Sequence, residues 1–256
     1  MDILGPALLP LGELLVVLAL LLLADRWLHR HLQGVMLLLT GDREIAVWLY
    51  ALILLPGVLL HELSHALAAA LLGVRIGRIS VLPQQKRGRI QLGFVPVEET
   101  DFVRASLIGA APLFVGSGII IALGYSVFRT PELVAAMALG DWIGALKGLR
   151  ALFQAPDVWI WAYFVFAVGN TLLPSRADMH AWPLLGLSLL IIAGIGVAAG
   201  AGAALLKGLN SLLTGAVHWI VLLGGSTLLI DVPFFLVIFL VEKGLERLRG
   251  RYVVYQ

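Results

Sequence analysis

Apolar residues run along this chain in six long blocks, at roughly 7–24, 46–73, 105–128, 158–173, 183–206 and 216–241, parted by short polar stretches. About 20 consecutive apolar residues carry a helix across the hydrocarbon core of a bilayer, so each block predicts a membrane-crossing helix. The fourth block is short for that task and predicts an extension or irregular backbone at one end. The segment "ELVAAMALGDWIGALKGLRALFQAPD" is too polar to span, and predicts an amphipathic helix at the interface or between spans. One connection breaks the pattern. In "VRIGRISVLPQQKRGRIQLGFVPVEE", Ile90, Leu92 and Phe94 alternate with Arg89, Gln91 and Gly93, and "PQQKRG" supplies turn residues, which predicts a hairpin or small sheet against one membrane face.

The expected fold is therefore an α-helical multi-pass membrane protein of about six transmembrane helices with a small β-hairpin or sheet at one face. It forms a single domain over 1–256, with a core at 46–182 and a β-rich loop at 74–104. Composition agrees: 60% of the 256 residues are apolar and 13% are charged, about half the charge of a soluble fold. The net charge of +2 is small and the basic residues cluster beside the blocks, which argues against a nucleic-acid partner and for lipid headgroups. With six spans, the side bearing the 74–104 loop carries eleven Lys and Arg and the other side seven, so the sheet-bearing side is expected to be cytoplasmic. The first block has no basic residue before it and no small-residue cleavage pattern after it, and reads as a retained span. There is no cysteine, which excludes disulfides and thiolate metal sites.

The second block holds polar residues where lipid-facing positions should be apolar: "VLLHELSHALAAALLGV". On a helix His61 and His65 are four residues apart and share a face, so both imidazoles can reach one divalent ion, with Glu62 beside them to take a proton from water. An acidic side chain in mid-span costs about 2.5–3.5 kcal/mol, and such residues are functional by default. A catalytic zinc requires a third protein ligand and one open position. The extended soluble motif is excluded, because Ala68 and Leu71 stand where it has Gly and His. Glu98 and Glu99 lie beyond the hairpin in a charged loop and read as solvated. Asp178, in "GNTLLPSRADMHAWP" after the helix breakers Asn170 and Pro174, opens on the same side as the end of the second helix. Zinc is preferred over other divalent metals on ligand type.

Here the sequence resembles the site-2 protease family of intramembrane metalloproteases. His61, Glu62 and His65 match its H-E-x-x-H motif. Asn170 to Asp178 keeps its eight-residue Asn-to-Asp offset, with Pro174 to Asp178 one residue tighter, and "GAAPLFVGSG" is similar to the small-residue stretch that packs beside the zinc helix. Met179 stands where the family has Gly, and nothing outside 46–182 carries the likeness. The resemblance implies one zinc per chain on His61, His65 and Asp178, with Glu62 as general base. Asn170 is implied as an oxyanion donor, or alternatively as a partner for backbone freed by Pro174. It implies a zinc metalloendopeptidase that cuts a transmembrane protein substrate, whose unwound segment pairs with the strand edge at 89–95. The expected location is a multi-pass position in a prokaryotic cell membrane with the site toward the cytoplasmic side. Asp231, an acid within the sixth block beside Pro233, and His180 are the alternatives for the third ligand. Glu13 and His218 sit near block ends and read as interfacial. A membrane protein that binds or moves a divalent metal without hydrolysis, or a pseudoprotease binding module, is the alternative function.

Overall fold

The computed structural model describes residues 5–86, 89–154 and 156–254; within its helices and strands the side chains at 5–11, 13, 84–86, 89–91, 131, 134, 137–138 and 206 are outside the description. In chain order it consists of α1 (Gly5–Thr40), α2 (Arg43–Leu71), β1 (Gln84–Lys86), β2 (Arg89–Gln91), α3 (Phe102–Ser126), α4 (Thr130–Ala138), α5 (Trp142–Phe153), α6 (Val158–Gly169), α7 (Trp182–Gly196), a π-helical turn (Val197–Ala201) and α8 (Gly202–Arg249).

The expected six-span architecture is corrected by this arrangement. Among the described residues four helices are long and apolar enough to cross a membrane: Arg43–Leu71, Phe102–Ser126, Trp182–Leu205 and Lys207–Arg249. A fifth is reached only if α5 and α6, which meet at 97°, count as one broken span. The fourth predicted span is in fact the 12-residue α6, followed by irregular backbone. The predicted amphipathic helix divides into α4 and α5, because Gly140 takes a left-handed φ of 68° between them. The first predicted block does not end near residue 24 but continues to Thr40, and its side chains at 7–11 and 13 lie outside the description. The β element is also less than the expected sheet. β1 and β2 are three residues each, antiparallel with Gln85 opposite Ile90, and their connection at 87–88 lies outside the described residues. Two isolated bridges, Ile76 with Val97 and Ser80 with Phe94, tie the remainder of the loop together.

The helix starts have local causes. Asp42 accepts hydrogen bonds from the amides of Glu44 and Ile45 at the start of α2, and Asp101 does the same for Val103 and Arg104 at the start of α3. α1 continues through its polar stretch because that stretch finds partners. Tyr50 donates its hydroxyl to His29 Nδ1 at 2.7 Å, His29 Nε2 meets Asp25 at 3.0 Å, and His31 pairs with Glu242 of α8. Trp27 stacks on His31 and tilts against Phe235, so α1 and α8 pack along their length. α8 ends at Gly250, in the left-handed conformation, and Arg249 donates to the Leu39 carbonyl near the end of α1.

The sequence of α6, "VWIWAYFVFAVG", is apolar throughout; Trp159, Ile160 and Trp161 near its start are exposed, and its C-terminal half is enclosed by other helices. Val165, Phe166, Ala167 and Val168 are all buried, with Phe166 in a cluster shared by α1, α2 and α8, and Val165 and Val168 in a second shared by α3 and α8. α7 shows the opposite condition. Its isoleucines and all its leucines except the half-buried Leu185 are exposed and none of its residues is buried, which is compatible with a lipid environment.

Close approach to α6 depends on Gly57 in α2. A Cβ there would overlap the Ala167 carbonyl and the Thr171 hydroxyl. His61 lies one turn further along the same face of α2 and so arrives beside Thr171, just past the end of α6.

Candidate metal centre

The structure brings His61, His65 and Asp178 together, with ligand atoms from the three all within 4.8 Å of one another. Nε2 of His61 and Nε2 of His65 are 3.1 Å apart; Asp178 Oδ1 is 3.2 Å from His65 Nε2, and Asp178 Oδ2 is 3.7 Å from His61 Nε2. All three side chains are largely enclosed, at 14%, 8% and 15% exposed in that order.

Each imidazole is oriented by a backbone carbonyl. His61 Nδ1 lies 2.8 Å from the Thr171 oxygen and His65 Nδ1 lies 2.8 Å from the Ile108 oxygen. A carbonyl only accepts, so both Nδ1 atoms carry the hydrogen and both Nε2 atoms turn their lone pairs toward each other and toward the carboxylate. Three acceptors facing one another at this range repel unless a cation or protons lie among them. A tetrahedral ion with bonds of about 2.0–2.1 Å keeps its ligand atoms about 3.3–3.4 Å apart; the two imidazole nitrogens, 3.1 Å apart, lie near that value, and one carboxylate oxygen lies within 4.8 Å of both. The donor set therefore fits a divalent ion: this group could hold a metal.

Those carbonyls are available for a reason written in the sequence. Inside α3, the Ile108 oxygen would ordinarily accept from the amide of residue 112, but that residue is Pro112, which has no N–H. The freed carbonyl takes His65 instead. Thr171 lies beyond the last turn of α6, where carbonyls lose their helical partners. A continuing helix would have bonded it to the amide of Ser175, but that amide donates to Asp178 Oδ2 at 2.6 Å. The Asp178 amide in turn donates to Ser175 Oγ at 3.3 Å, and the Met179 amide to the Ser175 carbonyl at 3.2 Å. This reciprocal turn presents the carboxylate to the histidines. Met179 is accommodated without a left-handed backbone, positive φ outside glycine being confined, among the described residues, to Arg129 and Asp157. Against the other side of the turn, Gly109 of α3 lies so close to the Asp178 carbonyl that a Cβ would overlap it. The Ser175 amide, donating to Oδ2, favours the ionised form of the Asp178 carboxyl against the cost of its partial burial.

Pro112→Ala tests the first of these causes. The restored amide competes with His65 for the Ile108 carbonyl, and metal affinity should fall by roughly 10–100-fold, the usual cost of losing an outer-sphere partner, while the helix itself is strengthened. Titration against a chromophoric chelator reads the affinity; an unchanged value would show that the Ile108 contact orients nothing.

Glu62 is buried beside the cluster and within electrostatic reach of all three residues, but it is not one of the converging donors. The loop between β2 and α3 covers it: a Cβ on Gly93 would stand 2.5 Å from Glu62 Oε1. Phe94, next to it, exchanges both backbone hydrogen bonds with Ser80 at 2.8 and 2.9 Å, which fixes that segment over the glutamate.

The other sequence candidates fall elsewhere. Asn170 uses its amide Nδ2 twice, donating to the Phe166 carbonyl at 2.8 Å and to Asp231 Oδ1 at 3.1 Å, so it braces the end of α6. Asp231 is 2% exposed, meets Asn170 and is not part of the converging group. His180 is exposed and turns Nδ1 to the Ala177 carbonyl. Glu98, Glu99 and His218 are exposed, and the side chain of Glu13 is outside the description. Sequence reasoning missed the two orienting carbonyls and the Ser175 turn. Pro112 and the Ser-x-x-Asp spacing were the signals that pointed to them.

Comparison with protein-family models, with curated proteins and with solved structures returns no match to this chain. Fold and site together define it as a helical protein, compatible with a membrane, that brings two histidines and an aspartate together in a group able to hold a metal ion.

Proposed function

We propose that this chain is a zinc-dependent endopeptidase acting on membrane-spanning or membrane-proximal protein segments. The observation that carries the reading is a buried glutamate directly adjoining a converging His-His-Asp donor set, in H-E-x-x-H spacing on a helix long and apolar enough to cross a membrane. His61, His65 and Asp178 would hold the ion, and two imidazoles with one carboxylate suit zinc. When bound, such an ion lowers the pKa of a water to about 7 and polarises a carbonyl. The Glu62 carboxylate is the group placed to accept the proton of the attacking water and to return it to the leaving amine. Burial keeps bulk water from competing for that proton.

The loop carrying Gly93 and Phe94 supports a role in substrate placement. A peptide bond inside a helix is shielded, so a substrate segment must unwind, and extended backbone beside Glu62 offers it hydrogen-bonding groups in strand geometry. The exposed apolar residues of α7 support a lipid surround from which such a substrate would arrive.

The test is metal content together with cleavage of a panel of single-span substrates by the purified chain. Zinc bound near one per chain, cleavage lost on chelation and cleavage restored by zinc are the expected results. Stable zinc binding with every substrate left intact would overturn the hydrolase reading in favour of metal binding without hydrolysis.

A further inference from the structure

Asp231 is a buried acid that the proposed chemistry does not use. It sits in α8 on a stripe with Thr227 and Phe234, spaced four and three residues, and the stripe faces the end of α6. Gly169 of α6 admits Thr227, whose Cγ2 would stand 2.6 Å from a Cβ there. Phe166 stacks on Phe234 with ring centroids 4.3 Å apart. Between these contacts Asn170 donates to Asp231 Oδ1 at 3.1 Å. Among the described residues Asn170 is the hydrogen-bond partner of Asp231, and Asn170 also donates to the Phe166 carbonyl at 2.8 Å. The next residue is Thr171, whose carbonyl receives His61 Nδ1 at 2.8 Å and whose hydroxyl donates back to Ala167 at 2.9 Å.

We propose that Asp231 is a positioning residue of the metal centre: it anchors Asn170 at the end of α6, and through that anchor fixes the Thr171 carbonyl that aims His61. An asparagine at a helix end with one amide hydrogen unclaimed can swing to compete for local carbonyls. The carboxylate of Asp231 takes that hydrogen and leaves Thr171 to the histidine. This explains why an acid costly to bury is placed in α8 away from the converging ligands. It rests on the reading of His61, His65 and Asp178 as a metal site, and does not require that the chain be a protease.

Zinc affinity by chelator competition and the visible spectrum of the cobalt(II)-loaded protein test it, on wild type, Asp231→Leu, Asp231→Asn, Asn170→Ala and the double variant Asp231→Leu with Asn170→Ala. Leucine should weaken zinc by roughly 10–100-fold and alter the cobalt spectrum, as losing an outer-sphere partner does. Asparagine, whose Oδ1 still accepts from Asn170, should restore both to within about 3-fold, because only the hydrogen bond is required. Asn170→Ala should match the leucine variant, and the double variant should be no worse than either single, since the two act through one contact. A leucine variant with wild-type affinity and spectrum would overturn the proposal, and so would an asparagine variant as damaged as leucine, or additive losses in the double. Should leucine prevent folding, Asn170→Ala decides alone: unchanged zinc affinity there overturns it. A wild type that binds no metal defeats the site itself, an outcome separate from any variant result, and metal bound without peptide cleavage leaves the positioning role intact.

Discussion

Glu62→Gln is expected to lower peptide cleavage roughly 10²–10⁴-fold, the usual contribution of a general base, while the chain keeps its metal. Gln has the same shape and length, so the close contact with Gly93 is preserved and the buried position is not overpacked. What is lost is a carboxylate able to hold a proton between water and leaving group. Glu62 is not one of the converging donors, so metal affinity should change little. The kinetic signature follows: kcat and kcat/KM fall together, because the interaction removed belongs to the transition state. Metal analysis and initial rates on the same preparation measure both halves. Cleavage at the wild-type rate by the glutamine variant would defeat the proposed mechanism, and loss of metal would mean that Glu62 is a ligand.

Asp178→Ala should abolish stable metal binding, with a loss greater than the roughly 10–100-fold that follows removal of an outer-sphere partner. The variant takes away the one anionic donor and leaves two neutral imidazoles whose Nε2 atoms are 3.1 Å apart. It also removes the acceptor that holds the Ser175 amide, so Thr171 can turn toward that amide and away from His61. Losing a hydrogen-bonded acid in a largely enclosed site costs about 1–3 kcal/mol of stability in addition. Chelator titration and thermal unfolding, each with and without zinc, separate the two effects: zinc should stabilise the wild type by mass action and leave the variant unmoved. Wild-type zinc affinity in Asp178→Ala would transfer the third ligand to a residue outside this group.

The relation between sequence and structure differs from element to element. The pairing of His61 and His65 was legible because helical spacing is local: four residues return a side chain to the same face whatever surrounds it. Asp178 was legible because the breakers Asn170 and Pro174 end a helix just before it. The number of spans was not. A hydropathy block is cut wherever polar residues intrude, yet α1 passes through Asp25, His29 and His31 because Tyr50 and Glu242 lie opposite. Conversely the helix kinks at Gly200, φ 87°, inside the apolar run "AAGAGAA", where hydropathy gives no sign of it. The residues 207–215 that separate the last two blocks are helical within α8.

By itself the sequence determined an apolar, helix-rich chain with two histidines and a glutamate on one helix and an aspartate after a helix break, since periodicity, hydropathy and proline act over a few residues. Tertiary structure decided which acid joins the histidines. Asp178 and Asp231 are both acids near helix breakers, and only packing places the first on the histidines and the second on Asn170. It also decided that the carbonyls of Ile108 and Thr171 hold the imidazoles, because hydrogen bonds spanning 43 and 110 residues depend on how α2, α3 and α6 approach, through Gly57 and Gly109, and not on any local pattern.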